Sequence, residues 1–240
     1  MILPLLSSTS FIKKSAGGTT GFVLPVQTGM LMYMDANAAS SIWKNTARTT
    51  PATTAGDSIQ GVTDFSGNSN HWSQATAGVA PTLQLVGGKN VLRYDTSGGM
   101  WMGFASRMTT IRTSFWVAGE TNGWGGDYSF LLGDSSNYDF HSESPHGCFA
   151  AYSTSPVNLL RIDKASVAIG TARPISPAIK VITAQNSGNA SASEMSRDRN
   201  NAYGTRSWHG DIAFLVCYSS VLTTQQMSDT EDAIKAYLSI

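Results

Sequence analysis

The sequence predicts an all-β protein, an antiparallel β-sandwich closed by one short C-terminal helix and preceded by an extended N-terminal arm. Three observations carry this prediction. Short apolar runs rich in Val, Ile, Phe, Trp and Tyr recur along the chain, each bounded by Gly, Asn, Pro or Ser, which is how strands between turns read. The end of the chain, from Trp208 onward, reads as strand, turn and amphipathic helix. Only 13% of residues are charged, so Ser, Thr, Asn, Gln and Gly must supply the polar surface. At 240 residues the chain holds one sandwich and an arm, with little left for a second domain.

Residues 1–28 form the arm. Their apolar residues come in clumps separated by Ser, Thr and Gly: Leu3, Leu5 and Leu6, then Phe11 and Ile12, then Phe22, Val23 and Leu24. Such a segment cannot bury these clumps alone. It is expected to dock on a partner or a neighbouring subunit, to pack on its own sandwich, or to stay undocked.

The domain spans residues 29–240. A first strand over 29–34 ends at Asp35 and Asn37, and a Thr- and Ala-rich connection over 46–56 is too polar for a core element. Residues 61–64 form a short strand leading into Ser66-Gly67-Asn68, a turn whose Gly and Asn accept positive φ. Residues 90–94 and 100–104 are expected to pair as a hairpin. Residues 113–119 form a buried strand, and 128–133, 147–152 and 157–162 follow at the spacing of a meandering sheet. Residues 178–184 are strand-like, whereas 186–201, rich in Ser, Asn and Ala, read as a loop or irregular hairpin.

From Asp211 to Tyr218 no charge interrupts the run after the first residue. Period-two alternation sets Ile212, Phe214, Val216 and Tyr218 on one face and Ala213, Leu215 and Cys217 on the other. A strand buried on both faces follows. Thr223 lies three residues before Gln226, the spacing of a capping box, and Leu222 and Met227 are placed to staple the helix start. Met227, Ile234, Tyr237 and Leu238 continue an apolar stripe at helical spacing.

These motifs, taken together, resemble laminin-G-like (concanavalin A-like lectin/glucanase) jelly-roll domains. The resemblance rests on Trp208-His-Gly-Asp211-Ile-Ala with the following Tyr218-Ser and Leu222-Thr, on Leu31-Met-Tyr-Met-Asp35-Ala36, and on Asp64-Phe-Ser-Gly-Asn68-Ser-Asn70. Gln74-Ala75, Pro81-Thr82 and Asn90-Val-Leu-Arg-Tyr94-Asp95 follow in the family's order, so the likeness frames residues from about 30 to 240. The 186–201 stretch departs from it. This fold hosts lectins, glucanases, adhesion modules and virion appendages alike.

Composition removes several function classes. Net formal charge is zero, with 16 basic and 16 acidic residues, so no basic field attracts nucleic acid or anionic lipid. No apolar run approaches the roughly eighteen residues of a membrane span. The apolar start lacks a basic n-region, Lys13 and Lys14 lying after it, and is read as no signal peptide. Cys148 and Cys217 stand without metal-ligand spacing, as two separate thiols or one bridge.

The glucanase branch carries catalytic carboxylates on alternate positions of one strand in a Glu-x-Asp-x-x-Glu pattern, so that they share a face. The four glutamates, Glu120, Glu143, Glu194 and Glu231, do not form it, and no Gly-x-Ser-x-Gly elbow localises a serine nucleophile. A non-enzymatic role is expected, with glycoside hydrolysis a remote alternative. No cofactor is expected except calcium, which laminin-G-like domains often hold through oxygen ligands. Asp64 and Asn68 are the candidates, or Asp127 and Asp134, against a purely turn-capping role. For sugar binding, the candidates are Trp124, Asp127, Tyr128, Asn137, Tyr138 and His141, in Gly- and Asn-rich stretches where a Trp between glycines suits a rim loop better than a strand.

A lectin-type fold without catalytic carboxylates, carrying an arm, leads to one expectation. The chain is a bacteriophage virion surface protein, a capsid decoration or a head- or tail-fibre component, attached to other virion proteins or copies of itself by the arm. Its alternative is a lectin or adhesin whose main task is recognition of host-surface glycans.

Overall fold

A computed structural model describes residues 22–94, 99–121, 131–137, 139–140, 156–170, 176–197, 199 and 207–240. It is all-β and antiparallel, closed by one helix. In chain order the strands are β1 (Met30–Asp35), β2 (Ile42–Trp43), β3 (Gly61–Val62), β4 (Trp72–Ser73), β5 (Thr82–Val86), β6 (Lys89–Tyr94), β7 (Met102–Glu120), β8 (Leu132–Gly133), β9 (Val157–Ile162), β10 (Ala165–Val167), β11 (Lys180–Met195) and β12 (Gly210–Tyr218). The helix α1 (Thr224–Leu238) follows, and a 3-10 turn covers Ala77–Val79.

The main path of hydrogen-bonded neighbours runs β10-β9-β11-β7-β12-β6-β5. β1 and β6 share the same side of β12, end to end: β6 pairs with residues 210–212 of β12 and β1 with 214–218. Asn37 bridges the two, its Nδ2 donating to the Asn90 carbonyl (3.1 Å) and its Oδ1 accepting from the Asn90 N–H (2.9 Å). The side-chain amide thus copies a backbone pair where neither strand supplies one.

Two apolar clusters lie on the two faces of this sheet. Met32, Met34, Leu92, Trp116, Ile212, Leu215 and Cys217 point inward to Val62, Trp72, Met102 and Met108 of the facing layer. Trp72 Nε1 meets Met32 Sδ at 2.8 Å across that interface. Phe115, Val117, Val181, Phe214, Val216 and Tyr218 point outward, where Met227, Ile234 and Leu238 of α1 cover them. β7 and β11 are long enough to serve both layers, and the register shifts between Gln185 and Glu194 mark where β11 bends.

The helix begins with the expected capping box, Thr223 Oγ1 accepting from the Gln226 N–H while the Gln226 side chain accepts from the Thr223 N–H. Leu222 and Met227 are buried in one cluster, as a staple requires. α1 also docks through polar groups. Glu231, fully buried, accepts from Thr183 Oγ1 (2.6 Å) and lies 2.9 Å from Arg161 Nη2, itself buried on β9. The β9–β10 turn, with Asp163 and Lys164 both at positive φ, adds ion pairs from Lys164 to Asp232 and from Lys180 and Lys235 to Asp163.

Four sequence expectations need correction. Residues 90–94 and 100–104 do not pair with each other. β6 forms its hairpin with β5 through Gly87 and Gly88, whose φ of 56° and 78° suit a two-residue turn, and β7 pairs with β4 and β11. Residues 102–104 of the first stretch and all of 113–119 belong to a single strand, β7. Residues 186–195, expected as part of a loop or irregular hairpin, continue β11: Ala190 and Ala192 are small enough to pack under the inner face, and pairing with β7 overrides their weak strand propensity. Finally, a register shift between Ile212 and Phe214 sets Ile212 on the face of Leu215 and Cys217, not with Phe214. The expected strand over 147–152 and the first half of that over 128–133 lie outside the described residues; the second half holds β8.

The end of the arm is part of this domain. Leu24 is buried in the outer cluster, and the Phe22 ring stacks on Tyr237 of α1 (4.3 Å between centroids, 10° between planes) and meets Phe214 edge-on at 6.0 Å. Val23 is half-buried. Leu3, Leu5, Leu6, Phe11 and Ile12 lie outside the described residues. Among the described residues no helix is long and apolar enough to cross a membrane.

The buried ion pair yields a stability test. Glu231→Ala leaves the Arg161 guanidinium buried without its carboxylate and is expected to cost about 3 to 5 kcal/mol in chemical denaturation. Replacing both, Arg161→Met with Glu231→Leu, is expected to cost less than either single change. Additive losses would show that the pair's charges are not what docks the helix.

Candidate functional site

The register places Tyr94, Gly210 and Glu120 side by side across β6, β12 and β7. This row is one rim of the sandwich. Thr121 donates its N–H to the His209 carbonyl (3.3 Å), and Ser176 donates to the Glu120 carbonyl, so Thr121, Ser176 and His209 belong to this rim as well. Gly210 is required here. A Cβ on it would run into the Trp208 ring and the Gly119 carbonyl.

The chemistry of the rim centres on Asp211. Its carboxylate, fully buried, accepts a bidentate pair from Arg93 Nε (2.7 Å) and Nη2 (2.8 Å) and a third bond from the Ser176 hydroxyl. Alternation places Arg93 and Asp211 on the outer face of the sheet, with Tyr94 and Glu120 on the inner one. Two acidic residues of this rim, Glu120 and Asp211, therefore face opposite sides of the sheet and do not form a same-face carboxylate pair. Trp208 and His209 are buried beside them. Burial drives the Tyr94 phenol strongly upward, so it stays protonated.

A second polar cluster binds the residues before Phe140 to β7 and β11. Arg107 grips Asp134 through Nε (2.8 Å) and Nη2 (2.9 Å), and Asp134 Oδ1 also accepts from the N–H groups of Ser136 (2.8 Å) and Asn137 (3.0 Å). Asp139 accepts from the Ser191 N–H (2.6 Å), and burial, with the Asp134 charge adding to it, raises its carboxyl above the ordinary value. Asn137, a candidate sugar ligand, is half-buried and donates through Nδ2 to Ser191 Oγ (3.3 Å). The other candidates, Trp124, Asp127, Tyr128, Tyr138 and His141, lie outside the described residues, as does Cys148. Cys217 is a free, buried thiol on β12, and burial raises its pKa.

The candidate calcium pair has a defined geometry. Asp64 Oδ1 accepts from the N–H groups of Tyr33 and Ser66 (both 2.9 Å), and Oδ2 from the Asn70 N–H (2.8 Å) and the Ser66 hydroxyl (2.7 Å). Those four donors match the roughly four lone-pair positions of a carboxylate. Asn68 presents its amide nitrogen to the carbonyls of Met30 (2.8 Å) and Leu31 (3.2 Å). With the Phe65 N–H donating to the Tyr33 carbonyl (2.8 Å), the turn lies along β1 as a substitute strand. Both residues are thus engaged in holding the turn to β1. Among the described residues no group of three or more His, Cys, Asp or Glu side chains is gathered as a metal site.

The sequence marks Arg93 and Asp211 individually but does not pair them. Asp211 is the one charge on β12, and Arg93 lies between Leu92 and Tyr94, so a charge at either place requires a partner of opposite sign. No protein-family model matches the chain, and no curated protein matches it.

Two outcomes test these assignments. Asp64→Ala strips four donors of their acceptor and is expected to lower stability by about 3 kcal/mol in urea denaturation, with Asp64→Asn losing less. The second concerns His71, whose Nδ1 accepts from the Asp64 N–H (3.0 Å) and must stay unprotonated to do so. Burial pushes this imidazole below its ordinary 6.5, Arg48 adding to the shift and Asp64 opposing it. The folded protein therefore binds fewer protons than the unfolded chain, so the contribution is complete above pH 6.5 and is lost as pH falls through the folded value. His71→Asn keeps an acceptor near that position without titrating, and is expected to flatten the pH dependence of stability over that window relative to wild type. An unchanged slope would remove His71 from the account.

Proposed function

We propose that this chain is a non-enzymatic surface protein of a bacteriophage virion, attached by its N-terminal segment and displaying a lectin-like sandwich outward. The observation that carries this reading is the position of the arm's root. Residues 22–26 are fixed on the α1 face, and the chain then enters the sheet at the C-terminal end of β12, where the Ser219 N–H donates to the Gly29 carbonyl. The rim built on Gly210 lies at the other end of that nine-residue strand, about 26 Å away. Residues 22–26 run back over the outer face, so that Phe22 packs on Phe214 and Tyr237, about 13 Å along β12 from Gly210. The tether thus starts from a fixed point on the helix-covered face, which is the arrangement a tethered display domain needs.

The carboxylates support the non-enzymatic part. Asp64, Asp134, Asp211 and Glu231 are each engaged by Arg, hydroxyl or backbone donors in roles that hold elements together. Host-surface glycans are the ligand class such a rim would meet, and many copies on one particle would make weak contacts useful.

The test is cosedimentation of the full chain and of a chain lacking residues 1–21 with purified particles, beside a glycan array on the same preparations. Residues 22–28 are kept because they belong to the folded domain. Particle binding that needs residues 1–21, with a blank array, is the expected result. Full occupancy by the truncated chain would overturn the attachment role. Array binding without particle binding would make the protein a free-standing lectin, for which Trp124→Ala with Tyr138→Ala is expected to abolish the array signal.

A further inference from the structure

Residues 22–26 form a strap held almost wholly by side chains. Phe22 is stacked on Tyr237 and edge-on to Phe214, Leu24 is 2% exposed, and Val26 packs against the same outer cluster. Among the described residues its one hydrogen bond to the sheet is from the Tyr218 hydroxyl to the Val26 carbonyl (3.0 Å); Gln27 Nε2 bonds only back to the Leu24 carbonyl. Pro25 has no N–H to offer. Ladder pairing with β12 starts only at Met30, opposite Tyr218. Lifting the strap would break no strand ladder, and it would open an apolar groove between α1 and β12.

We propose that the strap is exchangeable between copies: residues 22–26 of one chain seat in the groove between α1 and β12 of a second copy, displacing that copy's own strap. The groove's complement is already known, because this chain carries it. An exchanged strap makes the same contacts as a resident one, so exchange has little enthalpic penalty. Gln27 and Thr28 are exposed and Gly29 sits at φ +77°, so the chain can redirect there without disturbing a packed side chain. These three residues reach only about 10 Å, which requires the C-terminal ends of the two β12 strands to lie close together. Short hinges of this kind favour exchange over independent closure. The 21 residues before Phe22, with their apolar clumps, would then be delivered to the same neighbour.

This inference concerns contact between copies and goes beyond particle attachment, so failure of either leaves the other standing. Differently tagged full chains carrying Phe22→Cys or Tyr237→Cys are mixed and treated with a short bismaleimide; a chain with both substitutions reports the contact within one molecule. A covalent heterodimer bearing both tags is the expected product. Cross-linking within the double variant, with no heterodimer from the mixed single variants, would overturn the proposal. Because loss of Tyr237 can weaken α1 docking, native mass spectrometry of tagged and untagged wild-type chains provides a second reading. Mixed dimers are expected at high concentration, reduced about tenfold or more by Leu24→Asp. Wild-type chains that stay monomeric throughout, or dimers indifferent to Leu24→Asp, would rule the exchange out.

Discussion

Burial of the central sheet on both faces is the constraint on which the rest of this structure depends. All nine residues of β12 are buried, and β7 beside it is buried from Phe115 to Glu120. A sheet so placed needs two covers. One is the facing layer of β2, β3, β4 and the near half of β7. The other is α1 with the strap of residues 22–26, and at about 2 kcal/mol per buried large side chain, Phe214, Val216 and Tyr218 alone justify that cover. The helix could not dock by apolar contact alone, since Thr183 and Arg161 interrupt the outer face. Glu231 answers both, which explains an acidic residue at zero exposure in the middle of an amphipathic helix.

Where strands stop short, side-chain amides and carboxylates continue the pairing. Asn37 joins β1 to β6, Asn68 and Asp64 lie along the free edge of β1, and Asn70 Oδ1 accepts from the Ser106 N–H (2.7 Å) to tie the same turn to β7. An edge strand left bare would be a template for pairing with another chain. Here the Asp64 turn closes that edge without adding a strand. The motif that carried the family resemblance is thus explained by the backbone groups it satisfies.

Much of the fold was legible because its signals are local. The capping box, the staple and the buried strand before them depend on residues within a few positions of one another, and all three appear, with only the facing of Ile212 and Ala213 changed by the register shift. The errors came where partners are distant. No local pattern in Ser187-Gly-Asn-Ala-Ser-Ala-Ser193 announces a strand, and only pairing with β7 makes it one. Likewise, the turn-like residues on both sides of 90–94 leave its hairpin partner ambiguous locally, and Gly87-Gly88 before it is the one that makes the turn. For the candidate site, Asp64 was legible through its Asx-turn spacing. The rim was not, because Arg93, Ser176 and Asp211 meet only through three separate segments of the chain.

The pairs of arginine and carboxylate suggest why so few charges suffice. Arg93–Asp211, Arg107–Asp134 and Arg161–Glu231 each place a buried carboxylate against a planar guanidinium, and each joins elements far apart in sequence. In the apolar context of this sheet a shifted register would bury one member without the other, at a penalty of several kcal/mol, whereas a slipped Val or Ile would lose far less. Apolar alternation alone leaves neighbouring registers close in energy when both faces of a strand are buried, because either face accepts the slipped residues. Arg93 and Asp211 remove that degeneracy between β6 and β12, as Arg161 and Glu231 do between β9 and α1. These three pairs therefore act chiefly on the choice among packed arrangements, and the Arg93–Asp211 pair sets that choice at the rim.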